Sequence, residues 1–186
     1  LLNEKTIYDY IPILRKDLDS KLNIPQKTDY YRLKLLYLYG GIWLDSDIIV
    51  LNDLSEIIDK LKKYEFVGFG CHAQYQDCAK NGYPRPANWL LASRKKSILI
   101  KNCINTCDKL LNQHNNLYFK MNYFVLGRNL LWKEIKLLES KGNWNYYHYD
   151  SNCIERDSNF NKYVNYRFIS NEEIDKKCKK LLFVPV

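Results

Sequence analysis

Long apolar runs are missing from this sequence of 186 residues. None approaches the 18 or more residues that a bilayer crossing needs, and no basic segment backed by an apolar stretch opens it. A membrane span and a signal peptide are therefore not expected in this segment. Acid is scarce relative to base, 21 Asp and Glu against 29 Lys and Arg, for a formal charge of +8. Such a balance invites a nucleic-acid reading. Arginine is rare beside lysine, however, and the lysines are dispersed, clustering only at Lys176, Lys177, Lys179 and Lys180. A solvated helix face explains that cluster, so no nucleic-acid partner is expected, and the positive potential would instead attract an anionic ligand. The six cysteines lack the paired C-x₂-C spacing of a zinc site. Cys103 and Cys107 lie four apart within a helical pattern, where their Cβ vectors do not suit a disulfide, so free thiols are expected. No N-x-[ST] sequon occurs. Together these point to an intracellular, cytoplasmic protein. No repeat or low-complexity tract interrupts the chain, and residues 1–186 are read as a single domain.

The most informative stretch is Thr28 to Leu51, TDYYRLKLLYLYGGIWLDSDIIVL. Leu33, Leu36 and Tyr37 recur at helical spacing, with Tyr30 and Leu38 widening the apolar face. Thr28 suits the N-cap, and Asp29 then stands in the first turn, where the helix dipole favours an acid. Gly40 stops the helix and Gly41 lets the chain turn into a buried strand, Ile42 to Leu44. That strand runs directly into Asp45, Ser46 and Asp47. Carboxylates at the end of a buried strand are costly unless a cation meets them. In an extended segment, residues i and i+2 share a side, so Asp45 and Asp47 are expected to converge on one ligand. Hard carboxylate oxygens suit Mn²⁺ or Mg²⁺, which would bring a diphosphate with it. Asp29 and Arg32, three apart, share a helix face and set a hydroxyl acceptor beside a guanidinium fork.

The order Asp29-x-x-Arg32, Gly-Gly turn, aromatic-bearing strand and Asp-x-Asp resembles the sugar-binding region of DXD glycosyltransferases. That group includes the mannosyltransferases that initiate yeast outer chains, capsular-polysaccharide sugar transferases and the glucosyltransferase domains of clostridial toxins. The likeness covers about two dozen residues. It implies a GT-A-like (Rossmann-like) α/β sandwich in which a mixed central sheet is flanked by helices. It also implies a nucleotide-sugar donor, with UDP the commoner base, and a glycan or protein-linked glycan acceptor. By resemblance Asp47 ligates the metal, Asp45 contacts the metal or the donor's ribose with Ser46 beside it, and Asp29 and Arg32 hold the donor sugar. Trp43 occupies a slot that is usually aromatic and is read as core. Relatives begin with a strand and helix that hold the base, so a segment upstream of Leu1 is expected.

Elsewhere the pattern is alternating. Residues 4 to 20 repeat Ile7, Tyr8, Ile11, Leu14 and Leu18 at helical period, with a kink at Pro12, and Pro25 marks a loop before the central helix. Ser55 to Lys63 reads as a surface helix with Ile57, Ile58 and Leu61 inward, and Phe66 to Phe69 as a strand. Gly70 to Pro86, with His72 and Asp77, reads as a long loop that by resemblance lines the acceptor side. Ala87 to Ala92 is a buried strand whose Asn88 would face the donor sugar, as in the resembled family. Helices follow at Ser97 to Asn112 and Asn129 to Ser140, with an extended piece, Tyr123 to Leu126, between them. Strands are expected at Trp144 to Tyr149, Tyr163 to Ile169 and Leu181 to Val184. The run Tyr146-Tyr147-His148-Tyr149-Asp150-Ser151 resembles the place of a late metal ligand, His148, with Asp150 as its substitute. The Gly-Ser-Trp that commonly follows in the family is absent.

Between Trp89 and Trp132 the one acid is Asp108, within a helical pattern and poorly placed as a base. This favours a retaining mechanism, with Asp77 as the other acid that could serve. The competing reading is a non-catalytic, aromatic-rich module for carbohydrate or RNA, and the absence of any GXXG or RNP-like run speaks against the RNA form.

Overall fold

The computed structural model describes residues 6–46, 48–50, 53–71, 85–113, 125–142, 144–150 and 183–185. Two four-residue helices, α1 (Ile7–Tyr10) and α2 (Leu18–Lys21), precede the long α3 (Ile24–Tyr39). Strands β1 (Gly41–Leu44) and β2 (Ile48–Val50), helix α4 (Ser55–Lys63), and strands β3 (Phe66–Cys71) and β4 (Arg85–Ser93) follow. Helices α5 (Ile98–Gln113) and α6 (Arg128–Glu139) and strands β5 (Tyr147–Asp150) and β6 (Phe183–Pro185) complete the described elements.

The four-stranded sheet has the order β1-β4-β3-β5. Strand β4 is antiparallel to both β1 and β3, whereas β5 runs parallel to β3, so the sheet is mixed. Strands β2 and β6 pair separately. Helices α3, α5 and α6 bury one face of the sheet around Tyr30, Leu33, Phe66, Leu91 and Ile135. Helix α4 covers the other through Ile57 and Leu61 against Val67, Phe69, Leu90 and Ala92. The expected mixed sheet between helical layers is what the chain forms.

Several boundaries differ from expectation. α3 begins a turn early because Asn23 caps it: its side chain accepts from Gln26 N at 2.9 Å, and the Gln26 side chain reciprocates. Pro25 thus lies inside the first turn, where its missing N–H costs nothing, rather than in a preceding loop. Thr28 is no cap; its hydroxyl donates to Ile24 O. The helix expected over 4–20 is two short ones, since Ile11 before Pro12 is driven out of helical geometry (φ −123°, ψ 81°). Ile7, Ile11, Leu14 and Leu18 are nonetheless all buried in one core. Ile58 faces solvent, not inward. The segment expected to be extended at Tyr123 to Leu126 ends in a turn at Val125 and Leu126. The strand candidate Tyr163 to Ile169 lies outside the described residues.

Gly40 has a specific reason to be glycine. It takes φ 70° and ψ −161°, and a Cβ there would stand 2.6 Å from Lys95 N. Both the conformation and the close approach exclude a side chain.

Candidate functional site

The site lies where α3 crosses the ends of β1 and β4. Strand β4 carries an irregularity there: Gly68 pairs with Leu91 but Gly70 pairs with Pro86, so the extra residues bulge out of β4. Asn88 lies in this bulge, an arrangement that re-aims side chains. Its Nδ2 donates to Asp29 Oδ1 at 3.0 Å. Beside it, Asp45 N donates to Trp89 O at 2.9 Å, continuing the β1–β4 pairing by one residue.

Arg32 joins these pieces. Its Nη2 lies 3.1 Å from Asp29 Oδ1, and its Nη1 lies 3.3 Å from Asp45 Oδ1 and also donates to the carbonyl of Asn88. The guanidinium also packs over the Trp43 ring at 5.3 Å. Trp43 Nε1 in turn donates to Asp45 Oδ1 at 2.7 Å. Asp29 and Arg32 are 6% and 5% exposed, values that place a charged pair in the interior. Burial pushes the Asp29 carboxyl up to about 6; Arg32 and Asn88 oppose that rise, and Asp45 adds to it. Two carboxylates against one guanidinium leave this trio with an excess of negative charge.

The floor is formed by the start of α6. A Cβ on Gly127 would meet Asn88 Nδ2 at 2.5 Å and Asp29 Oδ2 at 2.8 Å, so a side chain there would push both groups aside. Between these elements runs a narrow cavity of ≈ 10 Å³ lined by Asp29, Arg32, Asn88, Cys103 and Gly127. That is about the room one water needs.

Asp29, Arg32, Asp45 and Asn88, drawn from three elements, are thus brought together. Ser46 is exposed in the turn after Asp45. Ile48 N donates to Asp45 O at 3.2 Å, closing that turn. Asp47 and Asp77 lie outside the described residues. His148, on β5, stands in register with Gly68 across the sheet from β1. Three strand spacings, about 14 Å, separate its backbone from that of Trp43, so it is not brought to Asp45. Its ring meets Tyr146 edge-on at 6.0 Å. Asp150 is the last residue of the same strand. Asp108 accepts from the Tyr30 hydroxyl at 2.8 Å and lies near Arg15 and Lys34, within a network joining α3 to α5.

Two participants escaped the sequence reading. Trp43 is not mere core, although it does pack there. The alternation rule, applied one step earlier, puts Trp43 and Asp45 on the same side of the chain, and that was the available signal. Gly127 left none, because a glycine before a helix is an ordinary N-cap. Among the described residues, no group of three or more His, Cys, Asp or Glu side chains could by itself hold a metal ion, and no helix is long and apolar enough to cross a membrane.

Comparison with known proteins adds three findings. A 46-residue stretch is 41% identical to the O-glycosyltransferase PaGT of Phomopsis amygdali, over 23% of this chain and 11% of that protein. The solved PaToxG glycosyltransferase aligns at 17% identity with a TM-score of 0.41, covering 62% of this chain and 39% of its own. The match therefore spans well under two thirds of either relative. The family model described as capsular polysaccharide synthesis protein matches residues 1–180, and over that nearly complete span the chain belongs to this family.

Proposed function

We propose that this chain is a metal-dependent glycosyltransferase of the GT-A type, moving a sugar from a nucleotide diphosphate sugar, with UDP as the nucleotide, to a glycan hydroxyl. The observation that carries the reading is the Arg32 bridge between Asp29 and Asp45, with Asn88 and Trp43 closing on it. Matches to the capsular polysaccharide synthesis family and to an O-glycosyltransferase support it.

Asp45, a hard donor at a site with surplus negative charge, fits Mn²⁺ or Mg²⁺ together with Asp47. When bound, the ion would supply Lewis-acid neutralisation of charge on the departing diphosphate. The protein's own residues do the rest. Asp29 accepts from sugar hydroxyls, and Asn88, fixed by its bond to Asp29, orients it. Arg32 Nε is buried and has no acceptor among the described residues; a sugar hydroxyl or a water would satisfy it. Asp108 is committed to Tyr30 and two cations. It therefore offers no free base for the acceptor, and transfer with retention is the mechanism these residues favour.

Calorimetry tests the reading. UDP should bind the wild-type chain only with Mn²⁺ present, Asp47→Ala should abolish this and Asp45→Ala should weaken it, with circular dichroism unchanged. Equal UDP affinity with and without Mn²⁺ in all three proteins would overturn the metal assignment.

A further inference from the structure

A second charged region lies where the C-terminal ends of α3 and α4 meet the turn between β4 and α5. Lys96 N donates to Tyr37 O at 2.9 Å, fastening this turn to the last turn of α3. Arg94 donates to the carbonyls of Leu61 and Lys62 and so ties the same turn to the end of α4. The fold thereby gathers Lys63, Lys95 and Lys96, all exposed, on one end of the molecule. Lys96 takes φ 60°, a conformation side-chain-bearing residues rarely adopt. Glycine would be unstrained there, yet the chain carries a lysine.

The nearby acids do not cancel this charge. Glu65 accepts from Ser97 Oγ at 2.7 Å and from Leu99 N at 3.3 Å, capping α5. Asp59 pairs with Lys62 at 2.7 Å. Asp9, next to Tyr10, is one charge against the lysines. Exposed aromatics flank the cations: Tyr39 is 57% exposed and Tyr10 48%, and the Tyr39 hydroxyl donates to Tyr10 O at 2.8 Å.

We propose that this end of the molecule docks on the surface of an anionic lipid bilayer. Lysine is a mobile point charge without a fork, suited to a diffuse anionic field rather than to one bidentate group. Tyrosine, apolar in body and polar at its tip, seats well at the headgroup boundary. Position decides against an acceptor subsite. The lysines adjoin the Gly41–Ser93 end of the β1–β4 ladder, whereas Asp45 and Asn88 lie at the other end. A strand length of about 13 Å separates them, so a molecule docked this way turns its carboxylate site away from the surface.

Cosedimentation of the full chain with vesicles of phosphatidylcholine, with and without phosphatidylglycerol, tests this. Binding should require phosphatidylglycerol and fall as salt rises. Combining Lys63→Ala, Lys95→Ala and Lys96→Gly should weaken it on the order of a hundredfold, at roughly fivefold per lysine. The control Lys109→Ala with Lys133→Ala, which removes exposed lysines from α5 and α6, should bind like wild type. Thermal melts establish that each variant is folded, and Tyr39→Ser supplies a charge-neutral variant that should also bind less. No binding of the wild type to anionic vesicles overturns the proposal. So does an equal loss in the control, which would mean that dispersed charge suffices. Binding to a soluble acidic polysaccharide or to RNA in preference to vesicles overturns it too.

Discussion

Arg32 is held between the buried Asp29 and the partly exposed Asp45, and its loss would strand Asp29 in the interior. Arg32→Met should destabilise the fold by about 3–5 kcal/mol, the usual cost of leaving a buried partner unpaired; urea unfolding measures it. Asp29 gives a test with a definite sign. Its carboxyl titrates near 6 in the folded protein, against about 4 in an unfolded chain. Between those values the folded state holds more protons, so stability falls as pH rises through that window and is level above it. The contribution is on the order of 3 kcal/mol. Asp29→Asn removes the titration, so the stability of wild type relative to this variant should decline between about pH 4 and pH 6. A difference that stays flat across this range would mean that Asp29 is better solvated than its burial implies.

Helix α6 is set against the site by one residue without a side chain. Gly127→Ala forces a Cβ onto Asn88 and Asp29. It should cost about 1–3 kcal/mol and depress sugar-donor turnover more than binding of the free nucleotide. Asn23→Ala, at the N-terminus of α3, should cost about 1 kcal/mol through the lost cap and leave the ratio of turnover to KM unchanged. The comparison separates positioning from plain stability. Periodicity made α4, α5 and α6 legible in the sequence to within a residue or so, because each buries a continuous apolar face. The start of α3 was not legible, since two cap signals compete and Asn23 with Gln26 offers two bonds where Thr28 offers one. The tandem helices before it kept four of their five predicted core positions, Tyr8 being exposed, but lost their helical span to one proline. The candidate site divided the same way. Asp29, Arg32, Asp45 and Asn88 could be named from local spacing and resemblance. The placement of His148 depends on strand order, a non-local property that no window of sequence contains.

At the scale of the molecule, the acidic turn is gripped from both sides. Strand β1 leads into it through the main sheet, and β2 leaves it to pair with β6, Ile48 opposite Pro185 and Val50 opposite Phe183. Ending the chain at Leu182 should leave the four-stranded sheet and its cores intact, with a circular dichroism spectrum close to that of the full chain. The same truncation should weaken Mn²⁺-dependent UDP binding about tenfold or more, the scale typical when the support of a ligand residue is lost. Unchanged affinity would show that β6 plays no part in shaping the turn.

The pairing of β2 with β6 also has a consequence in time. During synthesis the acidic turn leaves the ribosome more than a hundred residues ahead of Phe183–Pro185. At ordinary elongation rates that gap lasts on the order of ten seconds, far longer than a hairpin or a helix needs to form. α3, β1 and β4 all precede β6 in the chain, so the nascent chain should form the Arg32 bridge while β2 still lacks its partner. A ribosome-stalled series should acquire protease resistance in the main sheet before it retains nucleotide, and the emergence of Phe183–Pro185 should switch that retention on.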